Sequence, residues 1–517
     1  MKKDCLQLKL SNIWTKQDGV AVVGYAYCGN KLLTGSSLAS YFCSASTIEV
    51  FIESLKRLNG IFSVVIINES LTASAIDTTR IYPIFYTYTD GKWFVTDNPY
   101  LLLSDDSRIS SVALKQMRSS YAPLQGNTLI EGIYQVKPGS VVEFCDGGEA
   151  QTSTYFHYNV FANELKKAEK SEVLSVLEDA ITRLVKRANG RQIVVPISAG
   201  YDSRIILCLL KQLGYHNVLT YTMGSNDSAS EVSIASKVAD TLGYAHYQID
   251  LSLLAGECDF SDFNDYVKHL GALTNFSWCG EYASVKWLQA KGLLQDAAIF
   301  VPGHAGDFFA GSHLSKSLID KNSSKGALVY GILFNNFEAN RGLSTSSISQ
   351  EFNTIESFGN YPPSLYNAFV YANRLTHFIT NSARAYTFFG YDVMFPLWDI
   401  EFLQLMRKLP MEQLHQCTLY NECVEQVFAR YNVNFPKAKL PKSVYLKQYF
   451  KNVISSLLPS ALLHKKQVID ILGTWHLANI LCKDFSLFAS KAPKPYSINS
   501  ALTEWYIGTI TKLLNKK

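Results

Sequence analysis

The sequence predicts a mixed α/β (α+β overall) fold, with an antiparallel β-rich first half and a parallel α/β second half. Two patterns support this prediction. Short β-rich segments separated by turn residues fill the chain up to about residue 158. From about residue 163, amphipathic helical patterns alternate with short β-branched runs, an order typical of a parallel sheet covered by helices. At 517 residues the chain has room for two or more domains, and we predict them at residues 1–160 and 161–517.

The first half contains short segments rich in β-branched and aromatic residues. Thr89-Asp90-Gly91-Lys92 is a strong hairpin signal, because Asp-Gly favours the tight turn of two-residue hairpins. Lys137-Pro138-Gly139-Ser140 is a further turn that leads into a strand. We therefore predict antiparallel strands at residues 22–27, 60–68, 72–77, 84–89, 92–97 and 141–144.

The second half begins with apolar residues on one helical face, from Val173 to Leu184. A β-branched run at 193–197 follows, and then a second helical pattern at 205–213. The alternation continues with strands at 218–223, 246–251 and 297–301, a helix at 230–242 and a mostly helical stretch after residue 251. In such a parallel sheet the ligand crevice lies at the carboxyl ends of the strands.

A polar motif, Ser198-Ala199-Gly200-Tyr201-Asp202-Ser203-Arg204, lies between the predicted strand 193–197 and the next helix. The first amides of a helix lack internal partners and the helix dipole is positive there, so anions bind at this end. Gly200 allows close approach of the backbone, Ser198 and Ser203 supply hydroxyls, and Asp202 can bind a metal. We predict a pyrophosphate-binding loop. A serine-capped turn is the structural alternative, whereas no GxxxxGK[ST] pattern of a Walker loop follows a strand.

A second turn of small residues, Pro302 to Gly311, follows the predicted strand 297–301. Turns at the carboxyl ends of parallel strands meet at one edge of the sheet. Asp202 and Asp307 can therefore face one ligand, and two carboxylates together with phosphate oxygens suit Mg²⁺. We predict that these two residues bind the metal. A loop held by local hydrogen bonds is the alternative interpretation of Asp307 and His304.

The composition excludes several classes of protein. The net charge is +4, from 48 basic and 44 acidic residues, so the chain lacks the basic field of a nucleic-acid-binding protein. The ten cysteines form no CxxC pair and no zinc-like group with histidine, which indicates reduced thiols. The first residues lack the apolar core of a signal peptide, and no apolar run approaches the ~20 residues that span a bilayer. We predict a cytoplasmic protein that binds neither nucleic acid nor membrane.

The first loop resembles the SGGxDS pyrophosphate loop of the N-type ATP pyrophosphatases, with Ala199 in place of the first glycine. Together with other landmarks in the same order, it resembles the asparagine synthetase family. That resemblance implies a glutaminase-like (Ntn-hydrolase) β domain, followed by an ATP-pyrophosphatase synthetase domain with a helical C-terminal part. The landmarks are Leu58-Asn59-Gly60-Ile61-Phe62, residues 132–139, residues 198–203, residues 302–311 and Phe395-Pro396-Leu397-Trp398-Asp399.

By resemblance, a substrate carboxylate attacks the α-phosphorus of MgATP, pyrophosphate leaves, and an amine then displaces AMP to form an amide. The implied cofactors are ATP and Mg²⁺. The implied catalytic residues are His304 and a lysine, for which we favour Lys439 or Lys442 over the nearby Lys437. The implied nucleotide-binding residues are Ile197, Ser198, Ala199, Gly200, Tyr201, Asp202, Ser203, Met223, Pro302 and Gly303.

Three departures from the family pattern define this member. Lys2 stands where glutamine-hydrolysing relatives carry a nucleophilic cysteine, and Cys5 has no free α-amine beside it as a base, so we predict no glutaminase activity. His304 replaces the glutamate of the second loop. The segment 274–282 contains no arginine to bind a second carboxylate, which argues against aspartate as the substrate. Within that segment we predict that Tyr282 packs as a core aromatic rather than orienting a substrate.

The leading functional hypothesis is an ATP-dependent amide ligase that acts on a small-molecule or glycan-precursor carboxylate. Its nitrogen donor is free ammonia, ammonia from a partner glutaminase, or an amine-bearing substrate. The second hypothesis is an intramolecular amide-forming cyclase resembling the β-lactam synthetases or lasso-peptide cyclases. The third is a non-catalytic ATP-binding remnant. The sequence leaves the carboxylate, the nitrogen donor and the oligomeric state open.

Overall fold

The structure is a computed structural model of the chain. It describes residues 6–124, 126–160, 165–224, 229–254, 256–276, 278–314, 324, 328, 332, 361–436, 474–489 and 498–516. Its strands are β1 (Leu6–Lys9), β2 (Thr15–Gln17), β3 (Val20–Cys28), β4 (Lys31–Thr34), β5 (Leu58–Ile67), β6 (Thr72–Ile76), β7 (Phe85–Thr89), β8 (Lys92–Thr96), β9 (Tyr134–Gln135), β10 (Ser140–Phe144), β11 (Ala150–Thr154), β12 (Ile193–Pro196), β13 (Val218–Met223), β14 (Ala245–Ile249), β15 (Ile299–Phe300) and β16 (Asp392–Val393).

Helices occur in both halves of the chain, and a π-helical segment, Tyr371–Ile379, follows α10. The α-helices are α1 (Gly35–Phe42), α2 (Ile48–Lys56), α3 (Ser111–Ser120), α4 (Lys170–Ala188), α5 (Asp202–Gln212), α6 (Ala229–Leu242), α7 (Phe263–Gly271), α8 (Gly280–Ala290), α9 (Gly306–Phe309), α10 (Pro362–Val370), α11 (Thr380–Ser382), α12 (Arg384–Phe388), α13 (Ile400–Met406), α14 (Met411–Leu414), α15 (Thr418–Arg430), α16 (Thr474–Leu481), α17 (Phe485–Ala489) and α18 (Ile498–Leu514).

The N-terminal half is built on two sheets. The larger one has the order β11-β10-β6-β5-β3-β2, with β4 also paired to β3, and all of its pairs are antiparallel. The predicted hairpin is confirmed, because β7 and β8 pair around Asp90 and Gly91, which both have positive φ. In the smaller sheet, β1-β8-β7-β9, the predicted strands pair antiparallel, and β1, which the sequence did not predict, adds to β8 in parallel.

The sequence patterns of this half also missed three short helices, α1, α2 and α3. Two of them follow a threonine cap: Thr34 forms a capping box, and the Thr47 side chain accepts a hydrogen bond from the Val50 N–H. Both α1 and α2 place apolar residues spaced by four, such as Phe51 and Leu55, in a core that these two helices share with the large sheet. Helices of only two or three turns give too few repeats for their period to stand out between strands.

The second half contains a parallel five-stranded sheet with the order β14-β13-β12-β15-β16. The chain runs from β12 through α5 to β13 and through α6 to β14. It then returns through α7 and α8 to β15 on the other side of β12. Ligand crevices in such sheets lie where the strand order reverses. This reversal falls between β12 and β15, the two strands that precede the predicted loops.

The two halves are joined by a polar contact between two of the sequence landmarks. The Asn59 side-chain amide donates to Asp399 Oδ2 at 2.8 Å, and the Ile400 N–H donates to Asn59 Oδ1 at 3.2 Å. Arg183 on α4 donates to both oxygens of Asp399, at 2.8 and 2.9 Å. A continuous apolar core also contains residues of both halves. The division into residues 1–160 and 161–517 remains a prediction.

No helix in the described part of the chain is long and apolar enough to cross a membrane. All nine cysteines within the described ranges are free thiols.

Candidate active site

Two loops leave neighbouring strands at the same edge of the parallel sheet. β12 pairs in parallel with β15, with Ile193 opposite Ile299. Residues 197–201 lead from β12 into α5, and residues 301–305 lead from β15 into α9. The fold therefore places the two predicted motifs side by side at the point where the strand order reverses.

The two loops are in direct contact through Asp202. The backbone N–H of Asp307 donates to Asp202 Oδ2 at 3.0 Å. The Tyr420 hydroxyl, from α15, donates to Asp202 Oδ1 at 2.9 Å. Burial, and next to it the Asp202 carboxylate, raise the pKa of Tyr420 well above its usual value, so this phenol stays a neutral donor. The second loop and α15 thus hold the Asp202 carboxylate of α5 in a fixed orientation.

Glycines allow the second loop to pack against the start of α5. A Cβ on Gly303 would lie 2.5 Å from the Ser203 backbone nitrogen and 2.9 Å from the Asp202 carbonyl carbon. A Cβ on Gly306 would lie 2.9 Å from Asp202 Oδ2. Backbone atoms cannot move aside as a flexible side chain would, so a residue larger than glycine at 303 separates the loops.

We expect Gly303→Ala to impair both stability and ATP chemistry. Overpacking of this kind costs about 1–3 kcal/mol, and the separated loops would no longer present Asp202 and Asp307 together. Thermal unfolding and the rate of AMP formation measure the two effects. Wild-type values in both measurements would contradict the contact between the loops.

A cavity of about 480 Å³ opens between the loops. Of the sequence-predicted residues, Ile197, Ser198, Gly200, Tyr201, Asp202, Ser203, Met223, Pro302, Gly303, His304 and Asp307 line it. The sequence did not predict the other lining residues, which are Pro196, Tyr221, Thr222, Glu231, Glu281, Tyr386, Tyr420 and Asn421.

Asp202 and Asp307 are suitable ligands for Mg²⁺. Asp307 is exposed toward the cavity, and Asp202 lines it beside the second loop. Across the described ranges no group of three or more His, Cys, Asp or Glu side chains forms a complete metal site. Mg²⁺ typically binds one or two carboxylates and takes its other ligands from phosphate and water. Asp202 and Asp307 supply the two carboxylate ligands that such a magnesium site takes from the protein.

The first loop is held by its own serines. Ser198 Oγ accepts the Gly200 N–H at 3.2 Å, and Ser203 Oγ accepts the Ser198 N–H at 3.4 Å. Ser198 is exposed, whereas Ser203 is buried in the first turn of α5. These bonds fix the loop in an open turn that faces the cavity.

Ala199 points away from the cavity. It is 3% exposed and is not among the lining residues. Its carbonyl accepts a hydrogen bond from Arg204 Nη2 at 3.0 Å, and Arg204 Nη1 also donates to the carbonyls of Val433 and Phe435. The position lacks a positive φ, so alanine fits without backbone strain. The buried Arg204, to which the sequence assigned no role, thus ties the first loop to the chain that precedes the lysine segment.

The lysine segment itself lies outside the described residues. Lys437, Lys439 and Lys442 are all in this part of the chain, so the choice of catalytic lysine stays a prediction. The same holds for Lys2 and Cys5.

His304 lies in the second loop with its ring stacked on Phe395, the ring centroids 5.7 Å apart. Its Nδ1 is buried and has no hydrogen-bond partner among the described residues. Burial lowers the pKa of His304 from 6.5 to about 4. The imidazole is therefore neutral at physiological pH.

We expect the His304 ring to titrate near pH 4 in the nucleotide-free protein. Because the unfolded imidazole protonates near pH 6.5, this group's contribution to stability is present above that pH and is lost as the pH falls toward 4. NMR of the imidazole from pH 8 to about pH 3, with the His304 signal assigned by its loss in His304→Gln, measures the midpoint. A midpoint near 6.5 would contradict the buried environment.

Tyr282 packs in the core, as the sequence favoured. It is fully buried, stacks on Tyr266 with centroids 4.5 Å apart, and donates its hydroxyl to Asp262 Oδ1 at 2.5 Å. Arg80 approaches the same segment and donates to Thr274 Oγ1 at 3.3 Å. It does not line the cavity and is not available to a substrate there.

Comparison with known proteins gives one family match. Residues 172–483 match the family model described as asparagine synthase. No curated protein matches the chain.

Three solved structures are similar to parts of the chain. The NH3-dependent NAD synthetase from Campylobacter jejuni subsp. jejuni NCTC 11168 in complex with the nitrate ion is 15% identical over 42% of this chain and 97% of that chain, with a TM-score of 0.21. The allosteric regulatory enzyme of purine biosynthesis is 11% identical over 46% of this chain and 62% of that chain, with a TM-score of 0.18. The glutamine phosphoribosylpyrophosphate amidotransferase from B. subtilis, complexed with ADP and GMP, is 10% identical over 57% of this chain and 58% of that chain, with a TM-score of 0.18.

Proposed function

Because this chain belongs to the asparagine synthase family, a family of ATP-dependent amide-forming ligases, we propose that it adenylates a carboxylate and transfers the acyl group to ammonia or an amine. The observation that supports this proposal is the contact between Asp202 and the second loop at the reversal of the sheet. It creates one cavity with carboxylates on both sides for a metal–nucleotide complex.

The residues of the two loops would orient the nucleotide. Ser198, Gly200 and Ser203 would contact the phosphates, while Ile197 and Met223 would flank the base and ribose. Mg²⁺ held by Asp202 and Asp307 would neutralise charge on the leaving pyrophosphate. Tyr420 keeps the Asp202 carboxylate in place through its hydroxyl.

His304 would act on the nitrogen donor. As a neutral imidazole it is a weak base, suited to accept a proton once attack on the acyl carbon has made the nitrogen acidic. Lys439 or Lys442 would add positive charge near the phosphates. Both lysine assignments remain proposals from the sequence.

We further propose that the protein does not hydrolyse glutamine itself. Burial raises the pKa of the partly buried Cys145 thiol, which disfavours a reactive thiolate at that position. A second cavity, of about 230 Å³ and with Asn59 and Asp77 in its wall, has no cysteine among its described lining residues.

A substrate screen tests the ligase proposal. The protein is incubated with MgATP, ammonium and a panel of amino-acid and sugar carboxylates, and ³¹P NMR follows the products. We expect AMP and pyrophosphate only with an accepted carboxylate. Carboxylate-independent turnover, or ADP and phosphate as products, would contradict adenylation. Loss of water within one substrate, seen by mass spectrometry, would identify a cyclase.

Replacing ammonium with glutamine in the same assay tests the nitrogen source. We expect no glutamate and no glutamine-driven amide from the pure protein. Glutamate release at the rate of ligation would contradict the missing glutaminase.

A further inference from the structure

Among its described lining residues, the active-site cavity has more carboxylates than the two that are proposed to bind the metal. Four carboxylates line it, from Asp202, Asp307, Glu231 and Glu281, and its described lining residues include no lysine or arginine. Asp202 and Asp307 face the proposed magnesium. Glu281 lies on α8, an element that carries neither loop.

Glu281 is buried with an unsatisfied oxygen. The residue is 8% exposed, and its Oε2 has no hydrogen-bond partner among the described residues. Burial raises the pKa of its carboxyl group to about 7, and hydrogen bonds from its own backbone N–H and from the Ser382 and Trp278 side chains offset this only partly. A buried polar oxygen without a partner costs free energy unless a ligand satisfies it.

The described groups that interact electrostatically with Glu281 include no lysine or arginine. The phenols of Tyr221, Tyr266 and Tyr386 and the thiol of Cys279 all interact electrostatically with it. Burial is the main cause that raises the pKa of each of these four groups, so they stay neutral near pH 7. No ion pair joins Glu281 to a lysine or arginine within the described ranges.

Tyr221 and Tyr386 connect Glu281 to the nucleotide loops. Their hydroxyls are 3.2 Å apart, and both residues line the cavity. The Tyr221 carbonyl accepts the backbone N–H of Ile197, at the start of the first loop. The unsatisfied carboxyl group therefore belongs to the same cavity as the proposed ATP site, on the wall formed by α8 and these tyrosines.

We propose that Glu281 binds the ammonium group of a primary amine carried by a substrate of the ligation. This inference rests on the proposed ligase function and narrows its substrate class. An ammonium group donates charge-assisted hydrogen bonds to the unpaired oxygen. A substrate carboxylate at the same place would be repelled by the Glu281 carboxylate, and the described lining residues include no lysine or arginine to offset that repulsion.

Ligand-observed NMR with n-butylammonium as the probe tests this assignment. The full chain is saturated with Mg²⁺ and α,β-methylene-ATP at pH 8, and affinities are measured for n-butylammonium, 1-butanol and butyrate. We expect n-butylammonium to bind more tightly than the other two compounds, and Glu281→Gln to weaken it by about tenfold or more. Glu257→Gln is the matched control, because it makes the same change at an exposed carboxylate that contacts Trp287 of α8.

The pH dependence of n-butylammonium binding to the wild-type protein is a second test. If Glu281 had only a structural role, its protonation would not change this affinity. Tyr221, Tyr266, Tyr386 and Cys279 do not titrate between pH 6 and 9, because burial raises their pKa values. We expect the affinity for n-butylammonium to fall as the pH drops below about 7 and Glu281 becomes protonated. This measurement needs no variant and so holds even if Glu281→Gln unfolds.

The outcomes separate this inference from the proposed function. If the nucleotide analogue fails to bind, the ligase proposal fails. If it binds but n-butylammonium does not, or butyrate binds more tightly, the assignment of Glu281 is overturned while the ligase proposal stands. Equal affinity of wild type and Glu281→Gln for n-butylammonium, or an affinity that does not change with pH, would also overturn it.

Discussion

Replacing Asp202 with asparagine is expected to lower the rate of pyrophosphate formation by at least about 100-fold. The carboxylate is the point at which α5, the second loop and α15 meet, through the Asp307 N–H and the Tyr420 hydroxyl. Asparagine keeps the shape and one acceptor oxygen but removes the charge that would bind Mg²⁺. We therefore expect the variant to fold normally but to form pyrophosphate much more slowly. AMP and pyrophosphate are measured under saturating ATP and Mg²⁺.

The control for this variant is Asp265→Asn, an identical change at an exposed aspartate on α7 that pairs with Lys268. It should retain the wild-type rate. If Asp202→Asn matched this control, the assignment of Asp202 to the metal would be wrong.

Replacing Asp399 with alanine is expected to destabilise the protein by about 3–5 kcal/mol. Asp399 is 8% exposed and accepts two hydrogen bonds from Arg183 and one from Asn59. Its loss would leave the mostly buried Arg183 guanidinium with the exposed Glu401 as its one carboxylate partner among the described residues. It would also remove the hydrogen bond that Asn59 of β5 donates to Asp399. Urea unfolding measures the change in the free energy of unfolding.

Glu401→Gln tests whether the effect depends on burial. Glu401 pairs with the same Arg183, but half of its side chain is exposed, so its loss should cost less than about 1 kcal/mol. Equal losses for the two variants would show that the Asp399 contact is not a buried link between the halves.

The sequence predicted the strands and loops of the candidate site because their signals are local. A β-branched run followed by small residues and a helical pattern fixes β12, the first loop and α5 without distant residues. The same holds for the hairpin at Asp90 and Gly91, where both residues adopt positive φ. The parallel order of the later strands also placed Asp202 beside the second loop, a contact now seen at the Asp307 N–H.

Residues that reach the site from distant elements gave no such signal. Tyr420 lies 218 positions from Asp202, and its role becomes visible only when α15 packs across the loop. Glu281 lies on α8 next to the core residue Tyr282. The helical pattern of the sequence therefore does not show whether the Glu281 side chain lines a cavity or faces solvent. Arg204 was part of the quoted motif, but its bonds to Val433 and Phe435 depend on how the chain folds back.

The most direct test of carboxylate adenylation follows the oxygen of the carboxylate substrate. With an accepted substrate labelled with ¹⁸O in its carboxyl group, attack on the α-phosphorus and later displacement of AMP must leave one labelled oxygen on AMP. We predict that mass spectrometry will find one ¹⁸O per AMP formed and none in pyrophosphate. Unlabelled AMP, or label in inorganic phosphate, would contradict carboxylate adenylation at this site.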